Sequence, residues 1–148
     1  MLFSSTLATV ILRIEQNHLE AARVPEKTIT VVVADDEPLF VEMLRVLLSG
    51  EPDIDVVATA RDGRGAVELA KDVNPDVIVM DVSMPVMDGI EATQRIREVD
   101  ANACVLILTG GTTPGDVDRA RQAGAAAYLT KDRIATDLLA EIRNLGYR

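Results

Sequence analysis

The sequence predicts an α/β domain, with a five-stranded parallel sheet covered by helices on both faces and an extra helix at the N-terminus. Three observations lead there. From Thr28 onward, short apolar runs rich in β-branched residues alternate with stretches of helical spacing, and strands joined through helices pair in parallel. The chain has 148 residues, 48% of them hydrophobic, which suits one domain with a core of its own rather than two. Carboxylates, a hydroxyl and a lysine follow the apolar runs, at the strand ends where sheets of this class bind ligands.

The N-terminal extension, residues 1–27, comes first. Leu7, Val10, Ile11, Ile14, His18 and Ala21 recur at steps of three and four, an amphipathic helix that Ser4, Ser5 or Thr6 would cap. His18 belongs to that stripe as a packing or surface residue rather than a ligand. Pro25 marks the boundary to the main domain, residues 28–148. Residues 28–34 (TITVVVA) form a buried strand. Pro38–Ser49 is helical through Leu39, Met43, Leu44, Leu47 and Leu48, and Gly50 ends it. A second strand runs over 54–60 and a second helix over 65–73. The third strand is Val77–Met80, and the third helix, Gly89–Val99, takes Asp88 as its cap. The fourth strand, 104–108, makes Cys104 a buried core residue. A helix over 116–123, a fifth strand over 126–129 and a last helix over 133–145, capped by Asp132, complete the pattern.

Charge narrows the function. Lys plus Arg is 15 against 24 Asp plus Glu, a formal net charge of −9, which argues against bulk-charge binding to nucleic acid or to an anionic membrane surface. The charges of residues 1–27 cancel, so the whole −9 lies in residues 28–148. One cysteine and one histidine exclude an internal disulfide, a Cys-rich zinc site and a His-based metal cluster. No Trp, two Tyr and two Phe make no stacking platform for single strands. No apolar run reaches the length of a membrane span, and Leu2–Leu12 lacks both a preceding basic residue and a cleavage site. A soluble, cytoplasmic protein is expected.

The strand ends carry the chemistry. The first ends in Asp35-Asp36-Glu37, the third in Asp81, the fourth in Thr109-Gly110-Gly111 and the fifth in Thr130-Lys131-Asp132. Singly, each has an ordinary explanation: an Asp after a strand forms turns or caps helices, and a lone lysine lies on the surface. Together they do not, because carboxylates brought close repel one another unless a cation or proton intervenes. A hard divalent ion with oxygen ligands, Mg²⁺ or Mn²⁺, is the simplest compensation. Beside it, Lys131 and the Thr109 hydroxyl suit the oxygens of a phosphoryl group, and a carboxylate serves as nucleophile. The central third strand favours Asp81 for that role. Glycine-rich phosphate loops are absent, which weighs against a nucleotide enzyme.

Four segments carry a family resemblance: VVVADDEPLF (31–40), VIVMDVSMPVMDGIEATQRIRE (77–98), VLILTGG (105–111) and GAAAYLTKD (124–132). In this order and spacing they resemble the receiver domain of two-component response regulators, CheY-like and nearest the NarL/LuxR-type subfamily. The resemblance covers residues 28–146 and implies a flavodoxin-like (β/α)5 fold with strand order 2-1-3-4-5. It also implies roles. Asp81 is the phosphoacceptor. Asp35 and Asp36 hold Mg²⁺ together with Asp81 and the Ser83 backbone carbonyl. Lys131 pairs with the phosphate, Thr109 is the switch hydroxyl and Tyr128 the switch aromatic, while Pro85 and Gly89 shape the loop after Asp81. The implied partner is a sensor histidine kinase. The implied output surface is the fourth helix, fifth strand and fifth helix, which is also the first candidate for a homodimer patch, with the N-terminal helix as a second.

The sequence also departs from the family pattern. Lys131 is followed by Asp132 where a proline preceded by a cis bond is frequent, so the isomer of that bond is an open point. The tail resembles receivers that precede a LuxR-type DNA-binding domain, and Arg148 falls near the end of the last helix, so any such domain would lie beyond it; a single-domain regulator or an excised receiver of a transcription regulator is expected, with no nucleic-acid contact by this chain. Gly110-Gly111 predict a mobile segment from Gly110 to Gly115. An aspartate-phosphate hydrolase of the haloacid dehalogenase type would need a DxD motif after the first strand, and a pseudo-receiver would lack part of the acidic, acceptor and lysine set. The chain is therefore expected to be a phosphoacceptor that assists its own phosphoryl transfer and dephosphorylation, not an enzyme acting on other substrates.

Overall fold

The computed structural model describes residues 7–12, 27–111 and 114–148. Five strands form one parallel sheet: β1 (Ile29–Ala34), β2 (Ile54–Ala60), β3 (Val77–Asp81), β4 (Val105–Thr109) and β5 (Ala127–Thr130). Their order is β2-β1-β3-β4-β5, and every pairing is parallel. The helices are α1 (Pro38–Ser49), α2 (Gly63–Val73), α3 (Gly89–Val99), α4 (Pro114–Gln122) and α5 (Ile134–Gly146). This is the expected flavodoxin-like architecture.

Successive residues of the central strands feed opposite faces, as strand geometry requires. Val31, Val33, Val77, Val79, Leu106 and Leu108 point into one core with Leu44 and Leu48 of α1 and Leu138 and Ile142 of α5. Val32, Ala34, Ile78, Met80, Val105 and Ile107 fill the other with Ala66 of α2, Ile96 of α3 and Ala120 of α4. Burial on both faces explains why these strands are continuous apolar runs with no polar alternation. Leu39 and Met43 depart from the expected helical face, since both are exposed along with Val46. The side of α1 that meets the core is set by Leu44 and Leu48, and these three run down its far side.

The local signals explain most element ends. Asp62 accepts the Gly65 N–H at 2.7 Å and starts α2 at Gly63, two residues before the expected start. Asp88 caps α3 as expected, accepting the Glu91 N–H at 2.8 Å. Asn74 closes α2 in the left-handed region, φ 48°. Asp132 does not cap the last helix. Lys131–Arg133 form a 3-10 turn, and α5 follows from Arg133 without a side-chain cap. Cys104 is also corrected: β4 begins at Val105, and Cys104 is half-buried outside it. No peptide bond among the described residues is cis, so Lys131–Asp132 is trans.

Residues 7–12 are helical and exposed, with Leu7, Val10, Ile11 and Leu12 open to solvent. The rest of the expected N-terminal stripe, including Ile14, His18 and Ala21, lies outside the described residues, as do Thr112 and Thr113 in the segment expected to be mobile. Where the described chain resumes, Lys27 Nζ donates to the Gly146 carbonyl at 2.8 Å, a cation at the C-terminal end of α5. No helix among the described residues is long and apolar enough to cross a membrane.

Candidate functional site

The carboxyl ends of β1, β3, β4 and β5 bring the sequence-predicted residues to one edge of the sheet. Asp35 follows β1 directly. Its N–H donates to the Ala60 carbonyl at 3.1 Å, which holds its backbone, and its Oδ1 accepts the Glu37 N–H at 2.9 Å, which orients its carboxylate. Asp81 is the last residue of β3. Asp35 is 2% exposed and Asp81 6%, whereas Asp36 is exposed. Carboxylate oxygens of Asp35, Asp36 and Asp81 lie within 4.8 Å of one another. Lys131, the first residue past β5, places Nζ 3.2 Å from Asp35 Oδ2 and 3.5 Å from Asp81 Oδ1. Its ammonium also stands 4.1 Å from the centroid of the Phe40 ring.

The electrostatics follow from this crowding. Burial, reinforced by the Asp35 charge and opposed by Lys131, raises the Asp81 pKa from 3.8 to about 6. Burial works against the Lys131 ammonium, but the Asp81 and Asp35 carboxylates outweigh it and hold its pKa above the ordinary lysine value. Lys131 alone is one positive charge against three carboxylates. The donor set is all hard oxygen, and its repulsion is the kind that a divalent cation relieves; Mg²⁺ or Mn²⁺ fits these residues.

The loop after Asp81 is held by backbone contacts. The Val82 N–H donates to the Leu108 carbonyl at 3.1 Å, Gly89 N–H to Val82 at 2.8 Å, and Gly63 N–H to Met87 at 3.0 Å. A Cβ on Gly89 would overlap the Asp81 carbonyl, and one on Gly63 the Met87 carbonyl. Pro85 precedes Val86, which has φ 70°, an unfavourable region for a β-branched residue. Ser83 lies exposed in this loop.

Thr109 closes β4 and is 6% exposed. Its hydroxyl donates to the Gly111 carbonyl at 3.0 Å, and the half-buried Tyr128 donates its phenol O–H to the same carbonyl at 3.4 Å. The structure thus brings Lys131 into direct contact with Asp35 and Asp81, sets the Asp36 carboxylate within 4.8 Å of theirs, and gathers Thr109 and Tyr128 on one carbonyl of the adjoining loop. Sequence reasoning passed over Phe40 and Gly63. Phe40 carries no signal, being one apolar residue on a helix, and Gly63 falls before the helix that the spacing predicts.

Residues 31–143 match the response regulator receiver domain family. The chain belongs to that family. The receiver is 37% identical over 121 residues to the transcriptional regulatory protein DegU of Brevibacillus brevis, covering 82% of this chain and 51% of that protein. The solved signal receiver domain of the putative response regulator NarL from Mycobacterium tuberculosis superposes with a TM-score of 0.78 at 36% identity, over 82% of this chain and 98% of the other. A CheX–CheY–BeF3–Mg complex from Borrelia burgdorferi gives a TM-score of 0.74 at 27% identity, over 80% and 89% of the two chains. This receiver is of the NarL/LuxR type, and it spans about half the length of DegU. Receivers of two-component systems work with histidine kinases.

Proposed function

We propose that Asp81 of this receiver accepts a phosphoryl group from the histidine of a sensor kinase. The observation that carries the reading is the close pairing of Asp81 with Lys131, 3.5 Å apart, inside a cluster of three carboxylates. Asp35, Asp36, Asp81 and the Ser83 carbonyl are the residues that would hold Mg²⁺. When bound, the ion neutralises carboxylate charge and balances the charge of the phosphoryl oxygens. The chain's own groups do the rest. An Asp81 carboxylate oxygen bonds to phosphorus as the phosphorus–nitrogen bond to the kinase histidine breaks, leaving an acyl phosphate on Asp81 and the electron pair on the imidazole. Lys131 pairs with one phosphoryl oxygen and Thr109 donates its hydroxyl to another.

The hydrogen bonds at Gly111 support the switch. Thr109 and Tyr128 share its carbonyl, so turning Thr109 toward the phosphate rearranges the bonding that holds Tyr128. Tyr128 then moves inward, and the surface of α4, β5 and α5 shifts between two populated states. The Borrelia complex contains beryllofluoride and magnesium, which supports a phosphoryl-like ligand with a metal. Transcription is the output favoured by the description of DegU as a transcriptional regulatory protein; phosphorylation that left the α4–β5–α5 surface unchanged in hydrogen exchange would count against any output through it.

The test is direct. Incubation with Mg²⁺ and acetyl phosphate is expected to add the mass of one phosphoryl group, and Asp81→Asn to abolish it. An unlabelled wild type with adequate Mg²⁺ overturns the assignment.

A further inference from the structure

We propose that Phe40 is a positioning residue, holding the Lys131 ammonium in place through the face of its ring. The inference rests on the phosphoacceptor reading of Asp81. Phe40 lies in the first turn of α1 and Lys131 just past β5, and the structure sets Nζ 4.1 Å from the ring centroid, well inside the range of a cation–π attraction. The other contacts of that ammonium are Asp35 Oδ2 at 3.2 Å and Asp81 Oδ1 at 3.5 Å. Both are carboxylates with a second use. Asp35 and Asp81 belong to the cluster that suits a divalent cation, and Asp81 gives up its negative oxygen to phosphorus. Their hold on Lys131 therefore weakens as the lysine is needed for the phosphoryl oxygens.

The attraction of the ring has a different source. It comes from the quadrupole of the π system and stays constant while the carboxylates change partners. Lys131 keeps 25% of its side chain exposed, so an ammonium without that attraction has a route into water. Phe40 is itself held, since it packs against the core formed by β1, α1 and α5. A leucine at this position preserves the apolar packing and removes the ring face. A tyrosine preserves both.

The experiment compares Phe40→Leu and Phe40→Tyr with the wild type. In the NMR spectrum, the ε-methylene protons of Lys131 are expected to carry an upfield ring-current shift that Phe40→Leu removes and Phe40→Tyr keeps. With Mg²⁺ and acetyl phosphate, Phe40→Leu is expected to slow phosphorylation about fivefold, Phe40→Tyr to restore the rate, and thermal unfolding to move little in either. In a Lys131→Ala background, Phe40→Leu is expected to cause no further loss. A labelled wild type whose rate is unaffected by Phe40→Leu overturns this inference alone. So does an equal loss in the Lys131→Ala background, which would assign Phe40 a purely structural part. An unlabelled wild type overturns the phosphoacceptor reading and this inference with it.

Discussion

Gly89 admits no side chain, because a Cβ there would overlap the Asp81 carbonyl. Gly89→Ala is expected to cost about 2 kcal/mol, read from urea denaturation, since a packed site must shift to accept the methyl. A neighbour in the loop after Asp81 behaves oppositely. Val86 holds φ 70° in solvent, so Val86→Asn, which tolerates that region, is expected to stabilise by about 1 kcal/mol in the same assay. Asp81 carries a pH dependence. Its pKa rises from 3.8 to about 6 on folding, so the folded state binds the proton more tightly than the unfolded chain. The contribution of Asp81 is greatest below the lower value and is lost as pH rises through the upper one. Without metal, wild-type stability is expected to fall relative to Asp81→Asn between about pH 4 and pH 6. Magnesium, which favours the ionised carboxylate, is expected to shrink that fall.

At the scale of elements, Arg143 ties α5 to the turn before β2. It donates to both oxygens of Asp53 at 2.9 Å and to Glu51 at 2.8 Å, and Tyr147 adds its hydroxyl to Asp53 at 2.9 Å. The Arg143 hydrogen bond holds the Asp53 pKa at about 2. Such a shift stabilises the fold above the unfolded aspartate value and is lost as pH falls through the folded one. Arg143→Ala is expected to cost about 1–2 kcal/mol at neutral pH, and Asp53→Asn to flatten the acid limb of the stability curve. Elements set by local chemistry were legible in the sequence. β1 is a β-branched run, α1 opens on Pro38, and Asp88 caps α3. Elements set by their surroundings were not. Asp132 has the right side chain for a cap, but the chain leaves β5 through a 3-10 turn that bypasses it. Cys104 sits beside apolar neighbours in sequence, yet it lies one residue before β4, short of the core.

At the scale of the whole molecule, strand alternation separates two cores, and the strand ends deliver the acidic edge. The carboxylates and Lys131 could be placed at that edge from sequence because the topology of a parallel sheet dictates it. The contact between Phe40 and Lys131 could not, because it joins the first turn of α1 to the turn after β5, far apart in the chain. The N-terminal extension remains a separate proposal: its turn at 7–12 exposes Leu7, Val10, Ile11 and Leu12, an apolar face suited to a second copy. Deleting residues 1–27 is expected to lower the solution mass of the unphosphorylated protein to that of a monomer, and a dimer that survives the deletion assigns pairing to α4, β5 and α5 instead.

The bond between Lys27 and the Gly146 carbonyl makes the start and finish of the domain neighbours. Both lie at the rim opposite the carboxylates, beside the first residue of β1, where Gly146 abuts Ile29. A circular permutant of the domain therefore needs only a short joining peptide. Anything fused at either end of the domain rides on its far pole, away from Asp81 and Lys131, and would feel a ligand bound there only through the body of the fold.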